Sequence, residues 1–200
     1  MHTIIEPYLL TFIPIFVAVD SIGNIPLFAV LVEGATRKQK HRIITDSVFT
    51  ATIVAVLFIF IGKFILRFIG ITIPDFQIAG GALLFALSLK LLLQPGSKYF
   101  LEDGYDKMVG VFPLGTPLIT GPAVLTTTLM MQDSFGTWPT FVSLILNMLI
   151  VWGTLAKADL IMKSLGPGGA RAFSKIMYIL LAAISIMMIR KGVFNVVGMK

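Results

Sequence analysis

The sequence predicts an all-α membrane protein of six transmembrane helices, arranged as two inverted three-helix repeats, with helices 1 and 4 discontinuous. Three observations predict it. The 200 residues are 56% hydrophobic and only 13% charged, against about 45–50% apolar and about 25% charged in a soluble domain. The apolar residues fall into six runs, most of them near the ~20 residues that a helix needs to cross a bilayer. The first and fourth runs are interrupted near their middles, and they stand in matching halves of the chain. Two interrupted segments in corresponding positions are the sequence mark of a transporter binding site.

Composition excludes several function classes. No cysteine is present, which removes disulfides, thiolate metal sites and thiol nucleophiles. The two histidines, His2 and His41, are too few for a metal cluster. The net charge of +6 comes from basic residues scattered in short loops between apolar runs. That pattern fits membrane topology and not a nucleic-acid face. The stretch Met1–Glu6 has no basic region ahead of the first apolar run, so no cleaved signal peptide is expected.

Segment 1 is Pro7–Val32, with Asp20 its only charge. Segment 2 runs from about Ile43 to Leu66, with Asp46 near its start and Lys63 near its end. Segment 3 is Pro74–Gln94, with Lys90 placed to snorkel. Segments 4 and 5, Met108–Gln132 and Ser134–Ala156, carry no charge at all. Segment 6 starts near Ala172 and is clearest from Ile176 to Ile189, where Arg190 and Lys191 are expected to end it. The polar connector Gln94–Lys107 divides a single membrane domain, residues 1–200, into repeat one (about 1–100) and repeat two (about 101–200). Each half holds three segments. Three is odd, so the second half enters from the opposite side and the repeat is inverted.

Lysines and arginines set the orientation. Eleven lie in or beside the loops after segments 1, 3 and 5, and five lie on the other side. The richer side is expected to be cytoplasmic. Both termini are then outside a multi-pass protein of the cell (inner) membrane.

The interruptions themselves read as a site. In the first, Asp20-Ser21-Ile22-Gly23-Asn24-Ile25-Pro26, a glycine and an asparagine tolerate left-handed or capping conformations. Pro26 suits the first turn of a new helix. Thr120-Gly121-Pro122 repeats that order 96 residues later, with Pro117 a further break upstream. Lipid cannot hydrogen-bond a freed backbone group, so such breaks occur where protein or a water-filled cavity meets them. Each second half-helix offers unpaired N–H groups that suit a carboxylate. Each first half-helix offers carbonyls that suit a cation or ammonium. Asp20 adds a full negative charge, which costs about 2.5–3.5 kcal/mol at a helix centre unless it is used or paired. Ser21, Thr116, Thr120 and Thr126 add hydroxyls. Glycine and proline are common in membrane helices anyway, and one break alone would decide nothing. Two in register, one with an acid, point to function. The expected substrate-binding residues are Asp20, Ser21, Gly23, Asn24, Pro26, Thr116, Thr120, Gly121, Pro122 and Thr126, with Asp20 also the ion-coupling residue.

Three motifs in order resemble those of the MarC family, also called the small neutral amino-acid transporter family. Asp20–Phe28 is similar to its Asp-Pro-x-Gly-x-x-Pro-x-Phe signature, with Ser21 in place of the usual proline. Ile78-Ala-Gly-Gly-Ala-Leu-Leu-Phe85 resembles its third-helix motif, and Pro113–Pro122 its fourth-helix motif. The resemblance implies a six-helix inner-membrane protein that moves a small solute. For at least one archaeal relative the solute is taken to be glycine or alanine, carried with a cation.

The expected function is secondary transport of small neutral amino acids of the glycine or alanine type, coupled to Na⁺ or H⁺ by alternating access. No resident cofactor or metal is expected. The expected partners are a small-molecule solute and the lipid bilayer, with no nucleic acid; the residues do not set the oligomeric state. The alternative is a passive channel or facilitator, or an exporter of another small polar solute. An enzyme is disfavoured, because one mid-membrane acid with no buried histidine forms no acid–base pair or metal set. No phosphate-binding Gly-x-x-x-x-Gly-Lys-Ser/Thr loop is present to support ATP drive. Asp46, four residues after Arg42, reads as a surface ion pair. Gly80 and Gly81 read as close helix contacts. Asn147 either joins the site or bonds a neighbouring helix.

Overall fold

The computed structural model describes residues 5–32, 34–93, 109–160 and 166–198, and every regular element among them is helical. The connector Gln94–Lys107 lies outside the described residues. Helix α1, Glu6–Val19, opens with Pro7 in its first turn, where a missing N–H costs nothing. It stops at Asp20, and α2 is Asn24–Leu31. Helix α3, Arg37–Ile69, starts from a reciprocal cap: Gln39 N–H donates to Thr36 Oγ1 at 3.3 Å, and Thr36 N–H donates to Gln39 Oε1 at 2.8 Å. It ends at Gly70, whose φ of 75° is the left-handed turn that favours glycine. Thr72 and Asp75 cap α4, Ile73–Leu93, in the same way.

The fourth segment is irregular. Helix α5, Gly110–Ile119, is a wide-turned stretch with extended backbone at Phe112 and Thr116. Each of these precedes a proline, and the proline ring disfavours helical geometry in the residue before it. Helix α6, Pro122–Phe135, follows at a bend of 53°. Helix α7 is Thr137–Ala156 and α8 is Gly166–Val197.

Helices α3 and α7 pack together at the centre. Helix α1 lies on α7, α5 lies on α3, and α4 pairs with α8. The α3 face toward α5 is a stripe of buried residues four apart, Ser47, Ala51, Ala55 and Ile59. Small residues there let backbones approach as they do in membrane bundles. A Cβ added at Gly110 would lie 2.7 Å from Asp46 Cβ, and one at Gly115 would lie 3.0 Å from Thr50 Cβ. Gly81 is equally tight against α8, 2.8 Å from the Ser185 carbonyl by the same measure.

The exterior is as apolar as the interior, and hydroxyls lie buried within an otherwise hydrophobic core. Thr11, Ser47, Thr120, Thr140 and Ser185 are fully buried, while Phe64 and Phe68 are 70% and 81% exposed. That is the distribution expected where the surrounding solvent is hydrocarbon. Among the described residues, three helices have a stretch long and apolar enough to cross a membrane, namely Arg37–Ile69, Thr137–Leu160 and Tyr178–Val197, and the bent pair α5–α6 makes a fourth. The expected six therefore do not all meet that criterion as helices. The first segment is cut into pieces of 14 and 8 residues, each too short alone.

Segment 6 differs from expectation at its end. Arg190 and Lys191 do not terminate it; α8 runs on to Val197. Lysine and arginine are good helix formers, and Gly192 fits closely against α4, where an added Cβ would lie 2.8 Å from the Pro74 carbonyl. The helix gives out only at Gly198, with φ 72°.

Candidate functional site

The first break is organised by Asp20. Its backbone is left-handed, φ 47° and ψ 57°, a conformation that aspartate and asparagine tolerate better than most side chains. Its Oδ1 accepts the Gly23 N–H at 3.0 Å, and its carbonyl accepts the Asn24 N–H at 3.1 Å. The carboxylate thus sits at the positive start of α2. Gly23 permits this fold: a Cβ there would fall 2.2 Å from Asp20 Oδ2. Asn24 Nδ2 donates to the Val19 carbonyl at 2.9 Å, so one of α1's terminal carbonyls is satisfied. Ser21 is buried, and its hydroxyl makes no hydrogen bond among the described residues.

The second break is held from outside. Thr120 Oγ1 donates to the Ala51 carbonyl on α3 at 2.9 Å. Thr120 N–H donates to the Gly115 carbonyl at 3.0 Å. Gly121 is extended and precedes Pro122 at the first position of α6, whose start has no side-chain cap. A Cβ at Gly121 would lie 2.4 Å from the Pro117 carbonyl. Gly80 of α4 comes as near to this break, since its added Cβ would lie 2.9 Å from Pro122 Cγ.

Both breaks open on one cavity of about 740 Å³, within the ~300–1,000 Å³ usual for small-molecule sites. The first break contributes Asp20, Gly23 and Asn24 to its wall, and the second contributes Pro117, Gly121 and Pro122. Helix α4 contributes Leu84, and α8 contributes Leu181, Ile184, Met188 and Lys191. Most of the wall is aliphatic. Among the described residues, its polar side chains are Asp20, Asn24 and Lys191.

Of the expected site residues, Asp20, Gly23, Asn24, Gly121 and Pro122 are therefore brought together. Ser21, Thr116, Thr120 and Thr126 are not on the described wall. Thr120 is an anchor to α3. Thr126 Oγ1 donates to the Pro122 carbonyl of its own helix at 2.7 Å. Thr116 Oγ1 is buried without a hydrogen bond among the described residues. Pro26 lies within α2, between the wall residues Ile25 and Leu27. Lys191 was missed, because the pair Arg190-Lys191 was read as a helix end. The usable signal was helical spacing: Leu180, Ile184, Met187 and Lys191 recur three or four apart and line the same cavity.

Asn147 bonds a neighbouring helix. Its Nδ2 donates to the Ser143 carbonyl at 2.8 Å and to the Phe12 carbonyl of α1 at 3.3 Å. Thr11 and Ser143 join hydroxyls at 2.6 Å beside it. This buried polar seam ties α1, and so the first break, to α7. Asp46 is the surface partner of Arg42, at 3.8 Å.

The family model for MarC family integral membrane proteins matches residues 5–197. The chain belongs to the MarC family. It is 34% identical to a UPF0056 membrane protein of Methanocaldococcus jannaschii over 95% of this chain and 88% of that one. A UPF0056 membrane protein of Chlamydia pneumoniae is 31% identical, covering 90% of this chain and 92% of its own. The UPF0056 inner membrane protein YhgN of Escherichia coli is 26% identical over 87% of this chain and 89% of its own. No solved structure matches the chain. The apolar exterior and the broken spans are thus those of a MarC-family integral membrane protein.

Proposed function

We propose that this MarC-family protein is a secondary transporter of small neutral amino acids, coupled to Na⁺ or H⁺ by alternating access, and not an enzyme. The observation that carries the reading is the meeting of two helix breaks on one cavity, with a carboxylate at one break and an uncapped helix start at the other. A zwitterion needs both signs. Asp20 and carbonyls at the end of α1 suit its ammonium or a coupling cation, and the N–H groups at the start of α6 suit its carboxylate. Gly23, Asn24, Gly121 and Pro122 shape the contact. Ser21, Pro26, Thr116, Thr120 and Thr126 support the two breaks. The reading calls for no resident cofactor.

Six crossings in two inverted halves account for the packing. Such a repeat would pair α1 with α5, α3 with α7 and α4 with α8, and the contacts of α1 with α7 and of α5 with α3 are the pair it would exchange. Two ion pairs support the topology: Lys40 meets Asp159 at 2.6 Å at one end of the bundle, and Lys63 meets Asp133 at the other. The excess of lysine and arginine on the Lys40 side makes that side cytoplasmic and puts the N-terminus outside.

Uptake into proteoliposomes tests this. The panel runs from glycine and alanine to leucine, because the cavity has room for more than the smallest two, under imposed Na⁺ or H⁺ gradients. Uphill accumulation that collapses with one gradient supports the transporter. Movement only down the solute's own gradient identifies a passive facilitator, and no movement of any amino acid refutes the reading.

A further inference from the structure

The geometry points to Lys191 as the residue that selects for a carboxylate in the transported solute. The inference rests on the amino-acid transport reading and assigns it a residue. Lys191 and Asp20 are the two charged side chains on the described cavity wall. They come from opposite ends of the chain and form no ion pair with each other among the described residues. Asp20 Oδ1 is engaged with Gly23 N–H on its own break. The two charges therefore share a wall that is otherwise aliphatic but for Asn24, without pairing with each other, as a zwitterion with an apolar side chain requires.

Packing places the lysine. The adjacent Gly192 lies against Pro74 and Ile78 in the first two turns of α4, which fixes the face that this part of α8 turns to the rest of the molecule. Lys191 faces the cavity that both breaks share. The neighbouring Arg190 is not on the described wall. The uncapped start of α6 lies on the same wall through Gly121 and Pro122, so helix dipole and ammonium favour the same negative group.

The test compares alanine with alaninamide, which keeps the ammonium and loses the carboxylate charge. Each competes for solute counterflow in proteoliposomes holding wild type, Lys191→Gln or Lys191→Arg. Wild type is expected to prefer alanine by about tenfold to a hundredfold, the range of one charge-assisted hydrogen bond. Lys191→Gln is expected to bring that ratio close to one, mainly by raising KM for alanine while alaninamide is unaffected. Lys191→Arg is expected to restore most of the preference. A merely structural lysine would lower both substrates together and leave the ratio intact, which overturns the assignment. Equal discrimination by wild type and Lys191→Gln also overturns it while leaving amino-acid transport standing. A wild-type protein that moves no member of the wider panel overturns both.

Discussion

Replacing Asp20 by asparagine and by alanine separates its two jobs. The structure gives it a local one: its left-handed backbone makes the break, and its Oδ1 holds the Gly23 N–H at 3.0 Å. Asparagine can do both. It tolerates the same backbone region, and its amide oxygen accepts the same N–H. Asp20→Asn should therefore stay within about 0.5 kcal/mol of wild-type stability. Alanine can do neither. It loses the cap and places an ordinary Cβ residue in left-handed geometry, together about 1.5–4 kcal/mol. In detergent, Asp20→Ala should melt several degrees below wild type while Asp20→Asn melts with it. Transport then isolates the charge. If the carboxylate holds the coupling cation, or takes and releases the coupling proton, Asp20→Asn should lose gradient-driven accumulation although it folds and inserts normally. Some solute exchange should survive. Accumulation by Asp20→Asn equal to wild type under the same gradient would refute the coupling role and leave Asp20 a cap. A melting loss in Asp20→Asn as large as in Asp20→Ala would refute the account of the break.

Three further outcomes follow from particular contacts. Cysteine introduced at Lys38 should resist an impermeant thiol reagent applied to intact cells; labelling from outside would reverse the proposed orientation. Gly80→Ala should destabilise by about 1–2 kcal/mol and slow transport, because its Cβ presses on Pro122 at the second break; the matched control Gly153→Ala has open space around it and should be neutral or stabilising by up to about 1 kcal/mol, as paired thermal melts will show. Asn147→Ala should cost about 0.6–1.7 kcal/mol, the range for interhelical hydrogen bonds in membranes, with KM for the solute unchanged, since Asn147 holds α1 to α7 away from the described cavity wall.

The places where helices break were legible because they are written in residues with strong local physics. Asp20, Gly23 and Asn24 cannot propagate a helix cheaply, and Thr120-Gly121-Pro122 ends one helix and starts the next. Both breaks fall where the residues put them. Side-chain duty was less legible. Hydroxyls near a break look like ligands in sequence, yet Thr120 is drawn to the Ala51 carbonyl and Thr126 to Pro122 on its own helix. A threonine one turn past a proline has a carbonyl within reach at no packing cost, and only the position of α3 decides Thr120. Lys191 was obscured for the opposite reason. Two adjacent basic residues suggest a membrane boundary, and nothing local shows that α8 continues past them on the support of α4 at Gly192.

The two breaks are alike in sequence and different in construction, and the difference bears on how the protein would work. The second is fixed to the central helix α3 by Thr120, crowded by Gly80 of α4 and formed by prolines that restrict its backbone. The first is capped from within by Asp20 and Asn24, and it is tied to α7 by the Thr154 hydroxyl, which donates to the Ser21 carbonyl at 3.4 Å, and by the seam through Thr11, Ser143 and Asn147. A cation at Asp20 can take the second carboxylate oxygen, and the charge it draws from the carboxylate weakens the bond from the Gly23 N–H to Oδ1. Loading the ion would then loosen the cap on α2, while the prolines and the α3 anchor hold the second break in place. Coupling by this route needs no movement of the α3–α7 core. It requires only that α2 change its angle at Asp20–Gly23 when the carboxylate changes partner, and the residue already in left-handed geometry is the natural hinge for that change.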